Sequence, residues 1–392
     1  MLPILNVIAM ATFAAALSSR AMDPVIPLVS ADFAVSIAAA ASLSTAMALT
    51  FAVVQPVIGA AADMFGKARL LIVCLVLLGA ANIIGALAAS FEMLFLSRIF
   101  CGVAAGGTFP VAMALVADLV PIERRQVALG RVLSGAMTGN LLGASAAGVI
   151  GDFLGWRGVL TALGFLMVLT SAAVWLGFRR GGAAQSRQEV NFAALKHGYR
   201  TILANPKARI CFTSVFFNGL CMFGFFPFVA ALLFEQGETR ASVAGLIIAV
   251  FAIGGLIYTA TVSRMLAAFG VKALMIAGAL MVAIQFIIVA LGPDWRLQAV
   301  CFLLMGIGFY SFHASLQVFS SDLAPEARAS ALSLHAFCFF LGCAAGPIFY
   351  GFALGHFGTL ATLSLSATVM LVSGVVSAWL LNRRPPARTA PA

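Results

Sequence analysis

The sequence predicts an all-α membrane protein in which twelve transmembrane helices form two parallel six-helix repeats around a central cavity. The composition is the first observation, since 62% of the 392 residues are hydrophobic, 9% are charged and the mean hydropathy is +1.08. Soluble domains carry roughly 25% charged residues. The second observation is a series of apolar runs near the length of about 20 residues that a membrane helix needs. The third is a resemblance between the two halves of the chain.

The apolar runs predict membrane spans that are helical, because a helix satisfies its backbone polar groups within the span. In chain order they cover residues 4–29, 36–61, 70–90, 93–117, 128–150, 158–178, 210–234, 241–263, 273–291, 297–321, 331–353 and 359–381. The resulting domains are an N-terminal six-helix bundle (1–178), a cytoplasmic linker (179–209), a C-terminal six-helix bundle (210–382) and a disordered cytoplasmic tail (383–392). Apolar residues at helical spacing within the linker predict an amphipathic helix on the membrane surface.

The two halves repeat each other at an offset of about 200 residues, which indicates a duplicated architecture. Four glycines of the first half fall on four of the second: Gly139, Gly143, Gly148 and Gly155 match Gly342, Gly346, Gly351 and Gly358. Six spans return the chain to the side from which it started, so the two copies have the same orientation. Parallel repeats of this kind surround a central binding site in transporters.

The net charge of +10 arises from 23 Lys and Arg against 13 Asp and Glu. Most of these cations fall in loops on one side of the predicted spans, and only Arg157, Arg240 and Arg296 fall in loops on the other side. Because cytoplasmic loops carry the excess of Lys and Arg, both termini are predicted to be cytoplasmic and the protein to lie in the inner membrane of the cell. The cations then face anionic lipid, so the predicted partner is the lipid bilayer and no nucleic acid.

Apart from Arg131 near the start of the fifth span, the charged residues and histidines within the predicted spans are few: Arg20, Asp23, Arg98, His313 and His335. An intramembrane enzyme needs a nucleophile with its base, paired acids or converging metal ligands, and the sequence has none of these patterns. Its seven cysteines show no metal-ligand spacing. The sequence therefore predicts no enzyme, no metal and no cofactor, and it makes the intramembrane charges candidates for transport.

The loop after the second predicted span reads GAAADMFGKAR, residues 59–69. It resembles motif A of the major facilitator superfamily in its glycines, its aspartate and its basic cluster, which are Gly59, Asp63, Gly66, Lys67 and Arg69. The family usually has a cation where this chain has Met64. The resemblance covers nearly the whole chain and implies two six-helix bundles around a transport path, with this loop as an inner gate.

The first predicted span contains the stretch SSRAMDPVIP, residues 18–27, within an otherwise apolar run. Pro24 and Pro27 lack an N–H group, so they predict a broken helix whose free carbonyl groups face the cavity. Asp23 followed four residues later by Pro27 resembles the first-span signature of twelve-span drug:proton antiporters. That resemblance implies that Asp23 couples transport to protons. A self-neutralising pair of Arg20 and Asp23 is the alternative interpretation.

The fourth predicted span carries Arg98 in a context that resembles motif B of the same family, with Cys101 where glutamine is usual. An arginine within a membrane costs at least about 2.5–3.5 kcal/mol, so it needs a partner and a cavity. Helix rise puts Arg98 and Asp23 at similar depth. We therefore expect an ion pair between Asp23 and Arg98, with Arg20 as the third member of the proton-coupling set.

The fifth predicted span reproduces the glycine spacing of the antiporter motif C, although Ala144 replaces its proline. The predicted packing set combines this span with its duplicate in span 11: Gly139, Gly143, Gly148, Gly342, Gly346 and Pro347. The resemblance implies efflux. Small residues every four positions are equally typical of close helix packing alone.

Spans 7 and 10 supply the predicted cavity residues, which are Phe217, Asn218, Tyr310, His313 and Gln317. Their aromatic character favours an amphipathic or aromatic solute, since each hydroxyl of a sugar would need a polar partner. We expect His335 to be structural. The predicted function is proton-coupled efflux of such a solute by a monomer through alternating access. The alternatives are a proton-coupled importer of a sugar or nucleoside, and a transport-inactive membrane receptor or scaffold.

Overall fold

The protein is represented by a computed structural model that describes residues 2–181 and 192–382. The predicted tail and residues 182–191 of the predicted linker lie outside this range. The helices of the described part are α1 (Leu2–Ser19), α2 (Ile26–Phe33), α3 (Ile37–Phe65), α4 (Lys67–Ala86), α5 (Phe91–Leu119), α6 (Ile122–Gly181), α7 (Phe192–Ala204), α8 (Pro206–Met222), α9 (Phe226–Glu235), α10 (Ala241–Ala290), α11 (Trp295–Asp322) and α12 (Arg328–Leu381). The described residues contain no β-strand, so the predicted all-α class is confirmed.

Nine helical stretches of the described part are long and apolar enough to cross a membrane. Three of them, in α6, α10 and α12, have 50 or more residues and are too long for a single crossing of about 30 Å. Each is divided by a glycine with non-helical backbone: Gly155 (φ 66°, ψ −179°), Gly270 (φ 73°, ψ 167°) and Gly358 (φ 75°, ψ 173°). This combination of angles is open essentially to glycine alone. All three glycines fall within predicted interruptions between spans.

Several helix starts follow directly from capping residues. Ser36 before α3 and Ser90 before α5 accept hydrogen bonds from the backbone N–H groups of Ala39 and Met93. Asp294 caps α11 in the same way through the N–H of Arg296, at 2.7 Å. These side chains satisfy amides that have no partner within the helix, which sets where each helix begins.

The first span is broken, as the two prolines predict. Helix α1 ends at Ser19, a single 3₁₀ turn covers Asp23–Val25, and α2 begins at Ile26. The seventh span has a matching break, because α8 ends at Met222 and α9 begins at Phe226. Pro227 takes the place in α9 that Pro27 takes in α2, near the helix start.

Each half of the chain packs around its own apolar core. Fully buried residues of the first half include Ile8 and Leu71, and those of the second half include Phe225, Phe286 and Phe302. The amphipathic helix α7 packs on the second half, where its Ile202 is buried in a cluster with residues of α8 and of the turn before α12.

The two halves meet where α3 packs on α12 and α6 packs on α10. We call the end that carries residues 34–36 and 236–240 the outer end, following the predicted orientation. At this end the Asp152 carboxylate accepts from the N–H groups of Ala241 at 2.6 Å and Ser242 at 3.1 Å. Further from this end, between α3 and α12, the Oγ1 of Thr45 donates to the carbonyl oxygen of Ala344 at 2.9 Å. These contacts close the outer end of the groove between the halves.

Candidate substrate cavity

A cavity of about 440 Å³ lies between the two halves, and both contribute to its wall. Its volume is in the usual range for a small-molecule site. Polar lining residues from the first half include Ser19, Arg20, Ser44, Gln55, Arg98 and Asn140. The wall from the second half is largely aromatic and includes Phe223, Phe226, Phe251, Phe309, Phe339 and Phe340. The cavity therefore has one donor-rich side and one aromatic side.

Asp23 lies at the break of the first span, directly beside this cavity. Its side chain is 2% exposed. The Oγ of Ser44, in α3, donates to Oδ1 at 2.9 Å, and Nη1 of Arg20 lies 3.6 Å from Oδ2. Oδ2 accepts no hydrogen bond within the described part of the chain. The carboxylate is thus held by one hydroxyl and one guanidinium, and one of its oxygens is free to accept a further bond.

The guanidinium of Arg20 connects the two halves. Its Cζ lies 4.1 Å from the ring centroid of Phe223 and 5.6 Å from that of Phe226. Phe223 belongs to the break of the seventh span, so the two broken helices meet at a cation–π contact. Sequence reasoning missed this contact, although the equivalent prolines Pro27 and Pro227 point to it.

The expected ion pair between Asp23 and Arg98 is wrong in this structure. Arg98 is fully buried in the first half, where its Nη2 donates to Oδ1 of Asn82 at 3.2 Å and its Nε to Oγ of Ser97 at 3.4 Å. Its Nη1 has no hydrogen-bond partner. Residues at similar depth pair only if their helices face each other at those positions. Here α5 is rotated about its axis so that Arg98 faces α4. Arg20, one turn before Asp23, takes the place beside the carboxylate.

Two of the five predicted cavity residues line the cavity, namely Tyr310 and His313. The other three are not part of its wall. Asn218 is fully buried with neither amide atom hydrogen-bonded, Phe217 packs edge-on against Phe216 at 5.5 Å, and Gln317 is exposed. The cavity touches only one turn of α11, so a residue four positions further along the same face lies beyond it.

His313, at the cavity wall, belongs to a histidine pair that the sequence did not predict. Its Nε2 lies 3.5 Å from Nε2 of His335, and Nδ1 of His335 lies 2.8 Å from Oγ of Ser320. The His313 ring stacks on Phe309 with centroids 5.0 Å apart, and its Nδ1 has no partner. The two histidines are on different helices and no spacing rule relates them, so only the packing of α11 on α12 reveals the pair.

The family of the chain follows from comparison with known proteins. The model described as Major Facilitator Superfamily matches residues 8–241 and again residues 211–392. The chain belongs to the major facilitator superfamily. It is accordingly a multi-pass membrane protein that transports small molecules and is not an enzyme.

Similar members of the superfamily come from several bacteria. The chain is 25% identical over 384 residues to a chloramphenicol resistance protein of Streptomyces lividans, with 95% of each chain covered. It is 24% identical over 304 residues to the purine ribonucleoside efflux pump NepI of Salmonella enteritidis, covering 77% of this chain and 75% of that one. The crystal structure of the nucleoside transporter NupG has a TM-score of 0.78 at 14% identity and covers 98% of this chain and 100% of that one. This last likeness is one of fold alone.

The motif A loop of this superfamily member joins α3 to α4 at Gly66, whose φ of 87° favours glycine. Nζ of Lys67 lies 2.6 Å from Oδ2 of Asp118 near the end of α5, and Arg69 is exposed. The surroundings of Gly59 and of the Asp63 side chain lie outside the described part. This contact between Lys67 and Asp118 lies within the first half of the transporter.

The predicted packing glycines lie where two helices approach closely, either within one half or between the two halves. At Gly139 and Gly143 a Cβ would overlap the backbone of α1, and at Gly342 and Gly346 it would overlap the backbone of α8. These four allow packing within each half of the transporter. Gly148 lies between the halves, where a Cβ would overlap the carbonyl group of Ala241. Pro347 follows Gly346 inside α12.

Proposed function

We propose that this transporter exports a small amphipathic or aromatic solute in exchange for protons by alternating access. The proposal rests mainly on the burial and position of Asp23. Among the residues whose side chains are described it is the only buried carboxylate, and it lies at a helix break beside a cavity walled by both halves. A carboxylate within a membrane is costly, which makes a functional role the default interpretation.

The architecture that this function needs is the parallel six-plus-six arrangement. Nine membrane-crossing stretches, three of them divided at a glycine, support twelve spans in the N-terminal bundle 1–178 and the C-terminal bundle 210–382. The linker 179–209 and the tail 383–392 are proposed to be cytoplasmic, in the inner membrane, with the protein a monomer. The positive-inside distribution of Lys and Arg supports this orientation.

Alternating access is supported by the position of the contacts between the halves. They close the outer end, whereas the cavity extends toward the inner end along Gln55, Phe109 and Ala336. The opposite state requires these outer contacts to open. Protonation of Asp23 is proposed to bias the two states, because a neutral carboxyl group no longer attracts Arg20, which itself contacts the second half.

Export, rather than import, is supported by the relatives named for chloramphenicol resistance and for purine ribonucleoside efflux. Both names concern solutes with aromatic rings. The aromatic side of the cavity suits such a solute, because offset or edge-on ring contacts add to the burial of apolar area.

The test is uptake into everted membrane vesicles with and without a pH gradient, using lipophilic cations, aromatic antibiotics, nucleosides and sugars. We expect gradient-dependent accumulation of an aromatic class. Asp23→Asn should remove the gradient dependence, whereas the matched control Asp322→Asn, an exposed carboxylate at the inner end, should retain it. An Asp23→Asn protein that stays fully proton-coupled contradicts the coupling role. Uptake of a sugar into right-side-out cells contradicts export.

A further inference from the structure

We propose that the cavity selects an aromatic solute whose polar end is an oxygen hydrogen-bond acceptor and that it rejects cations. The inference rests on the proposed transport function and adds the class of cargo. It is carried by the charges of the cavity wall, by the rings that Arg20 covers and by the unpartnered donor of Arg98.

The charged residues of the cavity wall are both arginines, Arg20 and Arg98. No carboxylate is among the described residues that line it, and Asp23 lies behind Arg20. With Asp23 ionised this group of three carries a net positive charge, and with Asp23 protonated the charge is larger. A cationic solute therefore meets like charge in either protonation state, in surroundings that screen charge less well than water does.

Aromatic rings attract cations in many binding sites, but here Arg20 already occupies two of the rings. The guanidinium of Arg20 lies over Phe223 at 4.1 Å and is within 5.6 Å of the Phe226 centroid. A cationic solute would have to displace this arginine from both rings and from Asp23. The rings of this wall that are only partly buried, Phe339 and Phe340, are available to an uncharged aromatic group.

Arg98 supplies the complementary polar group. A buried N–H group without a partner is costly, and Nη1 of Arg98 is such a group in a fully buried side chain of the cavity wall. Its other nitrogens are held by Asn82 and Ser97, and Asn82 in turn donates to Oγ of Ser18 at 3.3 Å. The guanidinium is thus fixed in orientation before cargo arrives. Nη1 is covered in this structure, so a carbonyl, nitro or carboxylate oxygen of the cargo would satisfy this donor once it displaces the atoms that cover it.

The cargo then has a defined orientation in the cavity. Its oxygen acceptor points toward the N-terminal bundle, and its ring packs against the C-terminal bundle. An aromatic hydrocarbon without an acceptor would leave Arg98 unsatisfied. A solute with a permanent positive charge would fit neither side.

The experiment measures binding to the purified full-length protein without a proton gradient. The probes share one ring system: 2-naphthamide, 2-naphthoate and (2-naphthylmethyl)trimethylammonium. The readout is the temperature at which the free cysteines, most of them buried, become reactive toward a thiol-specific fluorophore. Binding to the native state raises this temperature. We expect the amide and the carboxylate to raise it in a concentration-dependent way and the ammonium compound to leave it unchanged.

Variants assign the effect to Arg98. Arg98→Gln should weaken binding of both oxygen-bearing probes by about tenfold or more, as expected for loss of a charge-assisted hydrogen bond. Arg98→Lys should still reject the ammonium compound, and the exposed control Arg296→Gln should behave as the unmodified protein does.

The ranking of the three probes on the unmodified protein tests the proposal even if a variant does not fold. The proposal is overturned if the ammonium compound stabilises the protein as much as the amide does. It is also overturned if none of the three probes stabilises the protein. Because the measurement needs no gradient, its failure is distinct from a failure of proton-coupled export.

Discussion

At the scale of single residues, glycines decide how closely neighbouring helices approach. A Cβ at Gly342 would overlap the carbonyl oxygen of Phe216 in α8, whereas a Cβ at Gly355, on the same helix α12, would meet no atom within 4 Å. The two positions are therefore a matched pair, one in close contact with backbone and the other open.

We predict that Gly342→Ala destabilises the protein by about 1–3 kcal/mol, because the backbone of α8 must move to admit the methyl group. Gly355→Ala should instead be neutral or stabilising by about 0.5–1 kcal/mol, since alanine restricts the unfolded chain more than glycine does. The midpoint of thermal unfolding of the purified proteins measures both. Equal midpoints for the two variants would show that α8 and α12 are not in close contact.

At the scale of helices, α10 begins without a cap from its own segment. The residue before it, Arg240, makes no side-chain cap. The amides of Ala241 and Ser242 are bonded instead by Asp152, from α6 in the other half. A carboxylate at a helix N-terminus also interacts favourably with the helix dipole. This cap is made only while the outer end is closed.

We predict that Asp152→Ala shifts the protein toward the outward-open state. Loss of an N-cap costs about 1 kcal/mol, which corresponds to about a fivefold change in the equilibrium. Cys343 lines the cavity, so a membrane-impermeant thiol reagent added to intact cells should label it about fivefold faster in this variant.

The control is Asp294→Ala, which removes a cap of the same kind from α11 but within one half. It should leave the labelling rate of Cys343 unchanged, and Cys343→Ser should abolish the signal. If both aspartate variants accelerated labelling equally, the effect would be a general loss of stability rather than opening of the outer end.

At the scale of the whole molecule, transport by alternating access requires the two halves to separate at the outer end. Ala38 of α3 and Gly351 of α12 meet there, with an ideal Cβ at Gly351 lying 2.8 Å from the Cβ of Ala38. A disulfide needs a Cβ separation of about 3.5–4.5 Å, so a small shift allows a covalent link.

We predict that the double variant Ala38→Cys, Gly351→Cys loses transport on oxidation and regains it on reduction, because the link holds the outer end closed. The matched control joins another alanine and glycine, Ala327→Cys with Gly198→Cys, whose Cβ separation is 3.1 Å and which ties α7 to the C-terminal half only. Oxidation of the control should leave transport intact. Transport by the oxidised Ala38 and Gly351 variant would exclude opening at this end.

Much of the fold was predictable because membrane helices are marked by composition and length. The glycines at 155, 270 and 358 fall within the predicted interruptions, and the two prolines of the first span predicted its break. These features are local. A missing N–H group or a backbone angle restricted to glycine acts at its own position, whatever the rest of the chain does.

The partners within the cavity were less predictable. The sequence placed Asp23 and Arg98 at similar depth but paired them wrongly, and it did not relate His335 to His313 or Asp152 to the start of α10. Spacing along a helix predicts which residues share a face, but it does not predict which neighbour that face contacts.

By itself, the sequence determined that this chain is a membrane transporter with a broken first span and a single acidic residue within it. The tertiary structure decided that Arg20 and Ser44 hold that residue, that Arg98 keeps one free donor, and that the two cavity walls differ in character. The physical reason is that depth in the membrane follows from chain position. The rotation of each helix about its axis is set by the packing of all its neighbours together.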